Sequence, residues 1–232
     1  RGIPALRKAM SSDDARLREE VMTRASFLAM FADIGAGPYI TNSDARAILR
    51  DRAENDPSSR VRLYGPGALR GVNNEATIKT LIAMCDDEAD YIRNYSLQYL
   101  LESNHPGRWE MLKRFLTDKA TRCRAQAAWH YAELHAGSED PADDLVDPFE
   151  IPAGAPTVAE SIALVAPLLN DPEADVRDGA LRALSRLLPL HKESVPMHID
   201  FIRKLATDDE SAKVRHRARR MMRDTGSQPG PG

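Results

Sequence analysis

The run Asp171-Pro172-Glu173-Ala174-Asp175-Val176-Arg177, followed by Ala180, Leu181 and Leu184, joins a tight turn to the start of a helix. Asp, Pro and Glu suit a helix N-terminus, where acceptors and a pre-set φ are favoured. Val176, Ala180 and Leu184 stand four apart and share one helical face. The same pattern returns in Asp56-Pro57-Ser58-Ser59-Arg60-Val61-Arg62 with Gly65 and Leu69, and from Asp87 to Ile92-Arg93 with Ser96, Leu97 and Leu100. It returns again from Asp118 to Cys123-Arg124 with Ala127, Ala128 and Tyr131, and from Asp209 to Val214-Arg215 with Ala218 and Met222. A degenerate copy opens the chain, with Ser12 in place of the Asp and then Leu17-Arg18, Val21 and Ala25. The residue four past the apolar position is small in most copies (Gly65, Ser96, Ala127, Ala180, Ala218), so a neighbouring helix can approach closely.

A second apolar-periodic segment precedes each turn, as in Ile78-Leu81-Ile82, Met111-Leu112-Phe115-Leu116 and Ile162-Val165-Leu168-Leu169. Each unit therefore reads as helix, short turn, helix. Repeats of this kind bury their apolar seams only against one another. The predicted fold is all-α, an array of about six helical hairpins over residues 1–225 followed by a flexible Gly/Pro tail at 226–232. The 42% hydrophobic and 29% charged content with only 6% aromatics fits that class.

The Asp-Pro turn and the Val-Arg opening of the second helix resemble the HEAT repeat, from about residue 5 to 224 and most clearly over 159–188. The resemblance implies a right-handed α-α superhelix. It also implies a ladder in which turn aspartates and helix arginines join consecutive repeats: Asp56, Asp87, Asp118, Asp171 and Asp209 with Arg62, Arg93, Arg124, Arg177 and Arg215. A half-buried guanidinium needs a carboxylate, and its fork satisfies several acceptors at once.

Two features break the period. The apolar-Arg pairs fall 44, 31, 31, 53 and 38 residues apart, and the longest interval holds the insertion 136–157, with four prolines, six acids and no basic residue. It reads as a loop that contacts a partner or is simply solvated. Its acids do not follow calcium-loop spacing. Gly65-Pro66-Gly67 falls inside a second helix and predicts a kink.

A net charge of −3 gives no default reason to expect nucleic acid. Two isolated cysteines, Cys85 and Cys123, read as small buried hydrophobes and suit a reducing cytoplasm. No apolar run reaches the roughly 20 residues of a membrane span. Arg1-Gly2-Ile3-Pro4 lacks both an initiator Met and a signal-peptide core, which raises the expectation of a trimmed chain or a regulatory segment of a longer one.

The candidate binding residues are Tyr91, Tyr95 and Tyr99, every four residues along one second helix, with Tyr64 and His130 at flanking positions of the adjacent repeats. In stacked hairpins the second helices usually line the concave side, so these groups are expected either to face a protein partner or to pack between repeats. Lys213, Arg215, Arg217, Arg219, Arg220 and Arg223 crowd the last helix and offer an alternative, a phosphate-contacting surface.

Enzymes that share the repeat set residue requirements. The diiron hydroxylases use His-Glu dipeptides, and no histidine here precedes Glu. The alkylpurine DNA glycosylases pair Trp with Asp four residues on; here Trp109 and Trp129 are followed by Lys113 and Glu133. No residue carries the chemistry of the bilin lyases. With no phosphate loop, nucleophile elbow or CxxC motif, neither catalysis nor a cofactor or metal is expected. The reading is a cytoplasmic scaffold that binds another protein.

Overall fold

The structure is a computed structural model and describes residues 2–33, 42–71, 74–136 and 151–224. The insertion's residues 137–150 and the tail at 226–232 lie outside the described residues. The chain forms two compact units, Arg1–Arg108 and Trp109–Gly232. All regular structure among the described residues is helical.

The first unit holds α1 (Gly2–Met10), α2 (Ala15–Asp33), α3 (Ser43–Asn55), α4 (Ser59–Leu63), α5 (Gly65–Ala68), α6 (Glu75–Met84) and α7 (Asp90–Glu102). The second holds α8 (Arg108–Phe115, from its second residue), α9 (Thr121–Ala136), α10 (Val158–Val165), α11 (Ala174–Leu187), α12 (Val195–Asp208) and α13 (Ala212–Asp224). These helices are three hairpins in each unit, with α4 and α5 together standing for one second helix.

The first helices α3, α6 and α10 begin on side-chain caps. Asn42 accepts from the Asp44 and Ala45 amides, each at 3.0 Å, and Asn74 from the Thr77 amide at 2.9 Å. Thr157 and Glu160 form a reciprocal capping box at the start of α10. The second helices begin on the turn aspartates. Oδ1 of Asp56, Asp87, Asp118, Asp171 and Asp209 accepts from the amide two residues on, at 2.7–2.9 Å.

Asp56, Asp87, Asp171 and Asp209 also hold rungs. Arg18 donates Nε and Nη2 to the Asp56 carboxylate at 2.6 and 3.0 Å, and Arg62 does so to Asp87 at 2.7 and 3.1 Å. In the second unit Arg124 reaches Asp171 at 2.7 and 2.8 Å, and Arg177 reaches Asp209 at 2.8 and 2.9 Å. The remaining arm of each arginine, Nη1, returns to a carbonyl six residues back in its own turn: Ser12, Asp56, Asp118 and Asp171. Arg93 and Arg215 make that return bond to Asp87 and Asp209. One guanidinium thus ties its own turn to the next repeat, with hydrogen bonds to a charged group each contributing about 1.5–3 kcal/mol.

The apolar position before the arginine is sealed in five copies: Val61, Ile92, Cys123, Val176 and Val214 are each 0% exposed. Leu17 departs from the pattern at 43%. In α2 it is Met22, Ala25 and Ala29 that enter the core.

The expected kink at Gly65-Pro66-Gly67 is an interruption at Tyr64 between α4 and α5, where φ is −85° and ψ −4°. A Cβ on Gly65 would lie 2.4 Å from the Ala53 Cβ, and one on Gly67 would lie 2.2 Å from the Ser26 Oγ. The glycines let α5 press onto both α3 and α2.

Candidate functional site

The second helices carry the surface side chains that could recognise a partner, and they do so differently in the two units. In α7, Tyr91, Tyr95 and Tyr99 advance about 40° around the axis per step, because four residues overshoot one turn. The stripe therefore winds. Tyr91 packs against the core together with Tyr64, Tyr95 stands out at 41% exposed, and Tyr99 is half-buried on the far flank. The Arg70 guanidinium lies 5.6 Å from the centre of the Tyr99 ring and pairs with Glu102 at 3.1 Å. Tyr95 and Tyr99 are thus the tyrosines of this set that offer ring surface, while Tyr64 and Tyr91 serve packing.

In the second unit the centre is Trp129 on α9. Arg182 and Arg186, one turn apart on α11, bring their guanidinium carbons within 3.9 and 4.9 Å of its ring centre. Arg186 also donates to the Ala136 carbonyl at 2.9 Å, tying it to the end of α9. A guanidinium stacked on indole is held in place without losing its donors.

His130 sits beside this stack, its side chain 11% exposed, with Nδ1 3.0 Å from the Glu133 carboxylate. Burial pushes the Glu133 carboxyl up, but hydrogen bonds from His130 and Trp129 and the charge of Arg186 hold it below the usual range. Glu133 is therefore ionised and already engaged. The pair leaves Glu133 as a hydrogen-bond acceptor on the flank of the stacked ring. Of the five predicted contact residues, four lie in the first unit and His130 lies in the second.

The basic last helix is largely occupied. Lys213 reaches Asp175 at 2.8 Å and Asp178 at 3.2 Å, Arg217 pairs with Asp178, and Arg219 donates to the Ala206 carbonyl at 2.9 Å. Arg220 lies 3.9 Å from Asp224. Buried Asp178 makes this a second tie between α11 and α13.

Sequence reasoning missed three groups. Arg18 reads in the sequence as part of a degenerate copy rather than as a rung, although its spacing from Ser12 matches that of the other arginines from their aspartates. Asp178 carries no local signal, because its partners are 35 and 39 residues away. Trp129 pairs by sequence spacing with Glu133, whereas Arg182, at the equivalent place in the next repeat, is its stacking partner.

No group of three or more His, Cys, Asp or Glu able to hold a metal occurs among the described residues. Among the same residues, no helix is long and apolar enough to cross a membrane.

A family model described as HEAT repeat matches residues 162–191. No curated protein matches the chain in sequence. Among solved structures, one engineered protein is 17% identical with a TM-score of 0.52, covering 98% of this chain and 97% of its own. A second engineered protein is also 17% identical with a TM-score of 0.53, covering 98% and 100%. A designed armadillo repeat protein in complex with peptide (KR)4 is 16% identical with a TM-score of 0.50, covering 96% and 99%. At these identities the likeness is one of fold.

Proposed function

Because this chain is a HEAT/armadillo-like repeat protein by fold, we propose that it is a scaffold that binds another protein through its second-helix faces. The observation that carries the reading is the Trp129 ring stacked by Arg182 and Arg186, with ionised Glu133 and His130 alongside. Tyr95 and Tyr99, the latter stacked by Arg70, form the corresponding surface of the first unit. Aromatic and Arg side chains concentrate binding energy because they offer large rigid area and oriented donors.

The designed armadillo protein was solved with a basic peptide. Here two arginines already cover the indole, so an acidic segment with apolar anchors suits the surface better. The buried thiols of Cys85 and Cys123 suit a reducing cytoplasm. The alternative, a nucleic-acid surface on α13, has less support: Lys213, Arg217 and Arg220 have carboxylate neighbours and Arg219 a carbonyl.

Selection of peptides from a displayed library on the full chain tests the proposal. Selected peptides should be rich in Asp, Glu and aromatic residues. They should bind at least tenfold more weakly to Trp129→Ala/Arg182→Ala or to Tyr95→Ala/Tyr99→Ala, with helicity by circular dichroism unchanged. Peptides whose affinity neither double variant alters would refute the assigned surfaces. Salt-dependent DNA binding lost on substituting the α13 arginines would support the alternative instead.

A further inference from the structure

The first helices of the two later hairpins in the first unit enclose a feature that protein binding by the second helices does not use. Ser43, Arg46 and Arg50 on α3 and Asn74, Glu75, Ala76 and Lys79 at the start of α6 line an open cleft of about 510 Å³. Arg46 and Arg50 are four apart and so project from one face of α3. Both are half-buried.

Their state is unusual for this molecule. The rung arginines are bound to carboxylates and carbonyls, and Arg52, Arg70, Arg108, Arg186 and Arg217 also hold acceptors. Among the described residues, Arg46 and Arg50 alone of the half-buried arginines make no side-chain hydrogen bond or ion pair. The Nε of Arg46 is shut off from water with no acceptor. A buried N–H left without an acceptor costs free energy.

The third cation, Lys79, is held 2.6 Å from Glu75, and both are well exposed at 73% and 82%. The cleft therefore carries three positive charges against one negative. The amide end of α6 opens into the same space and adds to the field, although Asn74 already occupies the Thr77 amide.

We propose that this cleft binds a phosphate group, with Arg46 and Arg50 as its main donors and Lys79 completing the charge. Two guanidiniums supply forked donors that match tetrahedral oxygens, and a dianion balances the excess charge better than a single carboxylate does. Glu75 acts as the internal competitor, releasing Lys79 when an anion enters. The site is independent of the second-helix surfaces and does not require the scaffold reading.

The test is titration of the full chain with inorganic phosphate, chloride holding ionic strength constant, followed by amide and arginine side-chain NMR shifts. Saturable binding is expected at millimolar concentration. It should weaken at least tenfold in Arg46→Gln/Arg50→Gln and tighten severalfold in Glu75→Gln, which removes the competitor without touching the arginines. Phosphate stabilises folded proteins non-specifically by exclusion, so a rise in Tm counts only where Arg46→Gln/Arg50→Gln lacks it.

A phosphoserine peptide that binds more tightly than free phosphate would place the group on a partner. The reverse order would indicate a free ligand. Shifts that do not saturate, or a wild-type response retained in Arg46→Gln/Arg50→Gln, would overturn the site. If the double variant fails to fold, Glu75→Gln decides alone: unchanged or weaker phosphate binding in it would sink the proposal.

Discussion

Replacing Arg177 by Met is the sharpest test of how the repeats are held together. Arg177 and Asp209 have side chains only 9% and 4% exposed, and two parallel bonds of 2.8 and 2.9 Å join them. Arg177 also satisfies the Asp171 and Pro172 carbonyls at 2.8 Å each. Its contact with Glu210, 81% exposed, contributes little. Exposed pairs are worth about 0–1 kcal/mol, whereas breaking a buried one costs about 3–5 kcal/mol. With this burial, Arg177→Met should cost about 3 kcal/mol. In a chain of this size that lowers Tm by roughly 6–12 °C.

Asp209→Asn keeps an acceptor for the Ser211 amide, now at 2.8 Å, and removes only the charge; it should cost about 2 kcal/mol. The double variant should cost about 3 kcal/mol, a coupling of about 2 kcal/mol by urea denaturation. The pH dependence has a definite sign. Hydrogen bonds from Arg177, helped by Ser211 and by the charges of Arg177 and Arg215, outweigh burial and hold the Asp209 carboxyl below its ordinary range. The unfolded chain therefore binds the proton more tightly. The stability from this group is complete above about pH 4 and is lost as pH falls through the lower folded value. Asp209→Asn should lack that part of the acid sensitivity. A cost below about 1 kcal/mol for Arg177→Met, or costs that add within about 0.5 kcal/mol, would refute the rung as a coupled structural element.

Two further outcomes follow from the packing. Gly65→Ala should destabilise by about 1–3 kcal/mol, since the new Cβ meets the Cβ and backbone of Ala53; Gly67→Ala should cost less, because the Ser26 hydroxyl it meets can rotate, and equal Tm losses would contradict this. Cys85 and Cys123, 1% and 0% exposed, should resist a thiol reagent in the native protein and react together on denaturation, whereas rapid native labelling of either would show that its helix seam is open.

The hairpins were legible in the sequence because each is a local device. The Asp that caps a helix, the apolar residue five on and the arginine after it lie within one turn and one helix start, and seam burial repeats their spacing. Val176, Ala180 and Leu184 could be placed in the core from period alone, and all three are 0% exposed. Proline and two glycines likewise announced the break between α4 and α5. Side-chain recognition between repeats was not legible in the same way. Whether Tyr91 or Tyr95 meets solvent depends on how far α7 is rotated against its neighbours, and Leu17 is exposed where Val61 and Val176 at the same repeat position are sealed. Arg182 and Arg186 find Trp129, Lys213 and Arg217 find Asp178, and Arg46 and Arg50 find no carboxylate, through packing between helices that the chain's local pattern leaves free. Local periodicity sets which face of a helix is apolar; the rotation and offset of one helix on the next decide which polar groups meet.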